Sequence, residues 1–191
     1  MCKTRCSWCL AFDAYVTYHD NEWGVPSFED KTQFEFLILE SAQAGLSWAT
    51  ILKKREAYRI AYSEFDPVKV ACYGDSEIKK LLNNPGIIRN KLKIEAAINN
   101  ARRFIEVQEL YGSFSDYIWD FMDGKPIINS WKRLEDVPST SHISDKLAGD
   151  MKKKGFKFLG NKILYAHMQA TGLVNDHLLD CYRYNEIKLM G

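Results

Sequence analysis

The sequence predicts an irregular all-α protein. Apolar residues recur at helical spacing in several segments, and short segments rich in Gly, Pro, Asn or Ser separate them. No segment alternates convincingly between apolar and polar residues in the way that predicts a strand. Several short helices favour an irregular packing over a regular bundle. With 191 residues, 46% of them apolar, the chain is expected to form one domain over residues 1–191 around a substantial core.

Caps and breakers predict the helices of the first half of the chain in order. Asp30 is predicted to cap the first helix and Ser47 the second. Asp66 precedes a proline at the first position of a third, short helix. Asp75 opens a fourth helix, which the Asn-Pro-Gly sequence at 84–86 ends. The predicted ranges are 30–44, 47–61, 67–72 and 75–82.

A long helix is predicted over residues 89–110, and Ser113 caps the next one, which runs to about Met122. Residues 123–141 contain Gly, Pro and Ser-Thr-Ser and are predicted to form a loop. The long helix is expected to place one set of side chains inward. That set is Leu92, Ile94, Ala97, Ile98, Ala101 and Ile105. The last predicted helices cover 143–154 and 161–172.

Composition restricts the classes of protein to consider. The net charge of +1 excludes a broad basic surface that coats nucleic acid, so any DNA contact must be local. No segment reaches the roughly 18 apolar residues of a membrane span, and no signal peptide is evident. We therefore expect a cytoplasmic protein without membrane contact, in which thiols stay reduced and serve as ligands or buried groups. The cysteines are Cys2, Cys6, Cys9, Cys72 and Cys181.

Cysteine and histidine residues occur near both ends of the sequence. His177 and Cys181 are separated by three residues, a spacing that lets both bind one metal if they lie on one helical turn. Cys6 and His19 lie at the opposite end. Together the four residues form a set of two cysteines and two histidines that suits a closed structural zinc site.

Spacing alone leaves alternatives open for this site. Cys2 and Cys9 are also placed at ligand spacing from Cys6, so either could replace it. His167 lies in a predicted helix, where an ordinary buried or surface histidine is the simpler interpretation.

Aromatic residues occur on both sides of a carboxylate. Glu40 follows the apolar sequence Phe-Leu-Ile-Leu, where a solvated carboxylate is not expected. A flipped base needs flat rings to stack on and a polar group that reads its edge, and a cationic base is attracted to electron-rich rings. The alternative is an exposed Glu40 or one paired with a lysine. The aromatic residues are Trp8, Tyr15, Tyr18, Trp23 and Trp48.

Seven groups of residues keep a common order over nearly the whole chain. They are Tyr18-His19-Asp20-Asn21-Glu22-Trp23-Gly24; Glu40 with Gln43-Ala44-Gly45-Leu46-Ser47-Trp48; Leu52-Lys53-Lys54-Arg55; Phe65-Asp66-Pro67; Gly86-Ile87-Ile88-Arg89 with Lys93-Ile94; Gly155-Phe156-Lys157-Phe158-Leu159-Gly160; and Gly172-Leu173-Val174-Asn175-Asp176-His177. Jointly they resemble the DNA-3-methyladenine glycosylase I family. The resemblance implies a helix-hairpin-helix DNA glycosylase fold and hydrolysis of the N-glycosidic bond of 3-methyladenine in alkylated DNA.

The same resemblance implies roles for individual residues. It implies that one structural zinc joins the terminal segments, and it favours Cys6 over Cys2 and Cys9 because Arg5-Cys6-Ser7-Trp8 matches the opening of the family. The implied ligands are Cys6, His19, His177 and Cys181. It implies that Glu40 reads the base as the catalytic carboxylate, and that Leu46 fills the space left by the flipped nucleotide. The implied stacking residues are Tyr18 and Trp48, with Trp8, Tyr15 and Trp23 nearby.

The resemblance places a DNA-binding hairpin over residues 154–165. Backbone amides at its glycines and the following helix N-terminus suit a phosphate. The residues expected to contact DNA there are Gly155, Lys157, Gly160 and Lys162. In some related enzymes a lysine at the offset of Lys162 attacks the sugar, but Asn175 stands where their aspartate would be, so a monofunctional enzyme is expected.

The partners implied are double-stranded DNA with alkylated bases and the released 3-methyladenine, and the protein is expected to be a monomer. Two other functions stay open: a zinc-containing DNA-binding module without catalysis, and a glycosylase of wider alkyl-base range.

Overall fold

The computed structural model describes residues 3–190, so Cys2 lies outside the described residues. Within that range eleven α-helices form most of the molecule. They are α1 (Asp13–Asn21), α2 (Asp30–Gln43), α3 (Trp48–Leu52), α4 (Arg55–Ala61), α5 (Pro67–Ala71), α6 (Asp75–Asn83), α7 (Lys91–Tyr111), α8 (Phe114–Asp120), α9 (His142–Lys153), α10 (Asn161–Ala170) and α11 (Tyr182–Lys188). None of the helices in residues 3–190 is long and apolar enough to cross a membrane.

Side-chain caps begin several helices where the sequence predicts them. The Asp66 carboxylate accepts hydrogen bonds from two backbone amides at the start of α5. Ser47 accepts from the amide of Thr50 and begins α3. Ser113 does the same for α8. These short polar side chains satisfy amides that have no partner inside the helix, which confirms the predicted starts.

The number of helices differs from the prediction at three places. The predicted helices do not include α1 and α11, which are short and begin without a side-chain cap from the described residues. It also joins α3 and α4 into one helix over 47–61. In the structure a turn at Lys53 and Lys54 separates them, and Lys54, with φ −102° and ψ −1°, is the N-cap of α4.

The prediction that Asp30 caps α2 is wrong. Glu29 is the N-cap, and the backbone of Asp30 is already helical. Its carboxylate instead accepts bonds from the amides of Phe114 and Ser115 at 3.0 and 2.8 Å. Asp30 therefore caps the start of α8, which ties the two helices together.

Two further predictions need correction. Leu92 was predicted on the inner face of α7 but is 61% exposed, because at about 100° per residue it lies on the opposite side of the helix from Ile94 and Ala101. The predicted loop 123–141 contains β1 (Ile127–Ile128), which pairs in parallel with β2 (Val174–Asn175). Strands of two residues are too short for an alternating pattern to be visible in the sequence.

Helix α2 lies at the centre of the molecule, and its residues 33–42 are all buried. Most of the polar side chains among them have partners: Gln33 donates to the Ser27 carbonyl, and Glu35 forms an ion pair with Arg55. Glu40 is different, because no hydrogen bond or ion pair to its carboxyl group forms within residues 3–190. A buried carboxyl group without a partner is costly and indicates a functional role.

Two groups of buried side chains make up the interior. The main core consists of aliphatic and aromatic residues from α2 to α10 and the strands. The second group, here called the terminal cluster, consists of Cys6, Tyr18, Trp23, Phe36, Ala170, Leu178 and Cys181. It joins the two ends of the described chain, and the Tyr182 amide donates to the Thr4 carbonyl at 3.0 Å beside it.

Gly172 allows the close backbone approach that this junction needs. Its φ is +72°, and a Cβ there would lie 2.2 Å from the carbonyl carbon of Val25. The neighbouring Ser27 amide donates to the Thr171 carbonyl at 3.0 Å. The chain after α1 is thus held against the end of α10, and any larger residue at position 172 would force the two apart.

Candidate active site and metal centre

Four buried residues form a cluster that could bind a metal ion: Cys6, His19, His177 and Cys181. Their ligand atoms all lie within 4.8 Å of one another. Cys181 Sγ lies 3.5 Å from both His19 Nε2 and His177 Nδ1, and Cys6 Sγ lies 3.8 Å from His177 Nδ1. The structure therefore brings together the four residues that the resemblance selects.

The second ring nitrogen of each histidine has an acceptor outside the cluster. His19 Nδ1 donates to Asp20 at 2.9 Å, and His177 Nε2 donates to the Trp23 carbonyl at 3.0 Å. In the tautomer that these bonds favour, the inward nitrogen of each ring offers its lone pair to a metal. Burial raises the pKa of Asp20, but the hydrogen bonds from Arg5 and His19 outweigh it and lower the pKa below its ordinary value.

The two thiols influence each other. The hydrogen bond from Cys6 lowers the pKa of Cys181, with further lowering by the two histidines. The same contact and burial raise the pKa of Cys6. One thiolate is therefore already favoured at this cluster, and thiolate is the form that binds metals.

The helical-turn interpretation of His177 and Cys181 is wrong. His177 lies in an irregular segment, and Cys181 is the N-cap of α11. A tight turn, in which the Cys181 amide donates to the Leu178 carbonyl, brings them together. Cys9 is buried but donates its thiol to the Cys6 carbonyl, and Cys72 is exposed, so neither joins the cluster.

A cavity of about 210 Å³ opens beside the metal cluster. The carboxylate and the five aromatic residues singled out in the sequence all line it, and their side chains come from α1, α2, α3 and the segments around them. They are Glu40, Trp8, Tyr15, Tyr18, Trp23 and Trp48.

Glu40 is the polar group that faces this cavity. It is only 4% exposed, and burial raises the pKa of its carboxyl group to about 8. The nearby Tyr18 hydroxyl has a pKa raised first by burial and then by the charge of Glu40. The expectation of an exposed or lysine-paired Glu40 is therefore excluded within the described residues.

The rings are arranged around open space rather than tightly stacked. The centroids of Tyr18 and Trp48 lie 5.4 Å apart at 47°, and the indole N–H of Trp48 is buried without a partner in the described chain. Trp8 and Trp23 meet edge to face at 4.9 Å. The Trp23 ring also contacts the His177 ring at 4.6 Å, so the metal cluster supports one wall of the cavity.

Other lining residues were not identified from the sequence. They are Gln43, Leu134, Val137, Ala166, Gln169, Asp176 and Leu178. Gln43 and Asp176 lie within sequences quoted for the resemblance, and this was the only signal for them. Leu134 and Val137 belong to the segment after β1, and no local pattern indicates which way such a segment folds.

A second cavity, of about 190 Å³, adjoins the first and shares Glu40, Gln43 and Ala166 with it. Leu46 and Lys162 also line this second cavity. Leu46 is 42% exposed in the turn between α2 and α3, and Lys162 is exposed in the first turn of α10. Both residues are therefore placed at the mouth of the aromatic cavity.

The loop between α9 and α10 is held by α7. Asn100 both donates to the carbonyl of Lys157 and accepts from its amide at 2.8 Å. Gly155, at φ +86°, ends α9, and its amide donates to the Lys152 carbonyl. The amides of residues 158–160, which include Gly160, have no acceptor in the part of the chain that is described. Phe158 and Gly160 are exposed, so their amides are accessible to solvent and to an external acceptor.

His167 has no contact with either site. It is fully buried, and its Nε2 lies 2.7 Å from the Gln33 side-chain oxygen. Burial lowers its pKa to about 3, so the ring is neutral. The interpretation as an ordinary buried histidine is confirmed.

The sequence model described as "Methyladenine glycosylase" matches residues 8–184. The chain belongs to the methyladenine glycosylase family. It is 45% identical to "DNA-3-methyladenine glycosylase 1" of Escherichia coli (strain K12) over 94% of this chain and 96% of that protein.

Solved structures agree with this membership. A crystal structure of 3-methyladenine DNA glycosylase I matches with a TM-score of 0.90 and 47% identity over 94% of this chain and 98% of the other. A structure on 3-methyladenine recognition by the Staphylococcus aureus enzyme matches with a TM-score of 0.90 and 38% identity over 93% and 95%. The described helices thus have the arrangement of methyladenine glycosylases.

Proposed function

We propose that this methyladenine glycosylase family member is a monofunctional DNA glycosylase that hydrolyses the N-glycosidic bond of 3-methyladenine in alkylated DNA. One observation of the site carries the proposal: Glu40 is a buried carboxyl group with no hydrogen-bond partner among residues 3–190, and it faces a cavity lined by aromatic rings. The family membership and the names of the relatives support the choice of substrate.

The charge of the damaged base explains selectivity at Glu40. An adenine methylated at N3 in DNA is cationic, whereas undamaged adenine is neutral. Because burial raises the pKa of Glu40 to about 8, its carboxylate is costly until a cation compensates for the lost solvation. The rings of Tyr18 and Trp48 add attraction for a cation. The carboxylate can also accept a hydrogen bond from the exocyclic amine.

The reaction needs little help with the leaving group. When the bond between C1′ and the base breaks, its electron pair neutralises the cation, so the base leaves without taking a proton. A water molecule adds its oxygen to C1′ and releases one proton. The Glu40 carboxylate stabilises the positive charge that develops on the sugar. Asn175 takes no part, because its side chain is bonded to the Tyr184 carbonyl and the His177 amide.

We propose zinc as the metal of the buried cluster. Tetrahedral zinc, at about 2.3 Å from sulfur and about 2.0–2.1 Å from nitrogen, holds such ligands about 3.6 Å apart. The sulfur-to-nitrogen distances of 3.5 and 3.8 Å fit this requirement. When bound, zinc supplies a cross-link between the terminal segments, with no coordination position left for the reaction.

The mouth of the cavity supports contact with double-stranded DNA. Leu46 is proposed to fill the space that the flipped nucleotide leaves. Helices α9 and α10 with their connecting loop form the proposed helix-hairpin-helix. There the free amides near Gly160, with Lys157 and Lys162, suit phosphate oxygens independently of sequence. Gly155 shapes the loop. We place the enzyme in the cytoplasm as a monomer, where the thiol ligands stay reduced.

Excision from methylated DNA tests the proposal. The wild-type protein is expected to release 3-methyladenine under single-turnover conditions, and Glu40→Gln to slow release about 100-fold. Glu56→Gln removes an exposed carboxylate and is the matched control. Wild-type excision and base affinity in Glu40→Gln would exclude the role of Glu40.

The same assay separates the alternatives. DNA binding without base release by the wild type would indicate a binding module. Comparable release of 7-methylguanine would indicate a wider range of bases. Borohydride trapping on abasic DNA is expected to give no adduct, and an adduct that Lys162→Ala abolishes would show lyase activity instead.

A further inference from the structure

Asp176 is a second carboxylate in the wall of the cavity, and the proposed reaction gives it no role. It is only 1% exposed and directly precedes the metal-cluster residue His177. Its oxygens accept four hydrogen bonds from neutral side chains. The donors are Asn129 Nδ2 and Trp131 Nε1, each at 2.7 Å, and Tyr165 Oη and Gln169 Nε2, each at 2.8 Å.

This saturation determines what Asp176 can do. An ionised carboxylate offers about four lone-pair sites, and four donors occupy all of them. Asp176 therefore has no free acceptor with which to activate a water molecule. Glu40 is the opposite case, with a carboxyl group that has no bond in the described chain and is open to a ligand. The Asp176 bonds hold neighbouring groups in place.

Two of those groups belong to residues 129–137, here called the covering segment. Both Asn129 and Trp131 donate to the same oxygen of Asp176. The Trp131 carbonyl accepts from the Leu179 amide at 2.9 Å, which anchors the segment again. Farther along it, Leu134 and Val137 line the cavity. The position of this wall therefore depends on the bonds around Trp131.

We propose that Asp176 is a positioning residue that pins the covering segment over the cavity and thereby sets the affinity for the methylated base. The proposal rests on the proposed function, because it takes that base as the ligand. Its effect on the reacting atoms is indirect, through the cavity wall that Trp131 holds. Loss of this contact widens the cavity and weakens base binding more than it slows bond cleavage.

The test uses the zinc-loaded full chain in single-turnover excision from methylated DNA. The variants are Asp176→Asn, Trp131→Phe and the double variant, with Asp180→Asn as the matched control at an exposed position in the same turn. The concentration for half-maximal rate is expected to rise about tenfold in each single variant, as is the Kd for free 3-methyladenine, while the maximal rate stays within about threefold. The double variant is expected to fall short of the product of the two changes.

Zinc content and unfolding temperature are measured for every variant. If Asp176→Asn loses zinc or unfolds at the assay temperature, Trp131→Phe alone decides. Unchanged base affinity in a folded single variant, multiplicative changes in the double variant, or a fall in maximal rate alone would each overturn the proposal. Failure of the wild type to release base would instead refute the proposed function, so the two failures are distinct.

Discussion

The main core and the terminal cluster meet at the cavity but are stabilised in different ways. In the main core, successive turns of long helices bury aliphatic and aromatic side chains, and caps such as Ser113 begin those helices. The terminal cluster contains few aliphatic side chains. Contacts between distant segments hold it together: the four cysteine and histidine side chains that could bind a metal, the Trp23 ring against His177, and the Thr4–Tyr182 backbone bond.

Because of this difference, folding depends mainly on the main core, whereas base binding depends also on the terminal cluster. The main core can form from local helices that then pack, as hydrophobic burial favours. The terminal cluster needs both ends of the described chain at once, and it supports the wall that contains Trp23. We therefore expect metal loss to disturb base binding while the main core persists.

Metal removal is the strongest test of the comparison. With free zinc at 1,000 times its Kd, bound metal is expected to add about 4 kcal/mol to the free energy of unfolding. Chelation should remove this gain, and Cys181→Ser should make unfolding insensitive to zinc. Cys72→Ser, which changes an exposed thiol, should keep the full zinc dependence. Denaturant unfolding with and without chelator measures this zinc dependence of the free energy of unfolding. If the stability of the wild type did not depend on zinc, the contrast between the two regions would be wrong.

A cavity created in the main core should lower the stability of the protein without changing zinc binding. Leu147 is completely buried in α9, and Leu147→Ala is expected to lower the free energy of unfolding by about 3 kcal/mol. Zinc stoichiometry should stay at one, because the cluster lies elsewhere. Leu110→Ala makes the same change at a position that is 74% exposed and should alter stability by less than about 0.5 kcal/mol. Zinc loss in the folded Leu147→Ala protein would show that the two regions are not separate.

The pH dependence of stability tests the carboxyl group at their boundary. The pKa of Glu40 rises from 4.5 to about 8 on folding, so the folded state binds its proton more tightly. Stability should therefore fall as pH rises from about 4.5 to about 8, by up to about 1.4 kcal/mol per pH unit. Glu40→Gln should lack this slope, whereas Glu56→Gln should retain it. Parallel curves for the wild type and Glu40→Gln would contradict the assigned pKa.

The smallest expected effect is the loss of stability when one of two serine N-caps is removed. Ser47→Ala and Ser113→Ala each remove a side-chain acceptor at a helix start and should cost about 1 kcal/mol of stability. Only Ser47 precedes Trp48, so only its loss is expected to weaken binding of 3-methyladenine. Calorimetric titration with the free base measures the difference. Equal base affinities would show that the cap does not position Trp48.

The contrast between local helices and distant contacts also explains which parts of the fold could be predicted from the sequence. Asp66 and Ser113 are capping residue types, which predict the helix starts that follow them. The aliphatic pattern of α2 indicates its burial. Helix α1 carries no such signal, because no side chain in residues 3–190 caps it and its buried residues are Tyr18 and His19 rather than aliphatic ones.

The candidate site was predictable in its residue types but not in its assembly. The resemblance selected the cluster and cavity residues, whereas spacing could not choose Cys6 over Cys9. No sequence pattern indicates that Asp176 accepts several hydrogen bonds, because its donors lie up to 47 positions away along the chain. Such contacts depend on how loops fold back, and local periodicity does not record this.

The separation of the metal ligands also fixes an order of events during protein synthesis. Cys6 and His177 are 171 positions apart, so the first half of the cluster leaves the ribosome long before the second. Local helices of the main core can already have formed by then, because helix formation takes about a microsecond, far less than synthesis at about 5–20 residues per second. The cavity gains its Asp176 wall, and the cluster its last residues, only after residues 176–181 have emerged. A nascent chain that stalls before His177 would be largely helical yet unable to retain a damaged base.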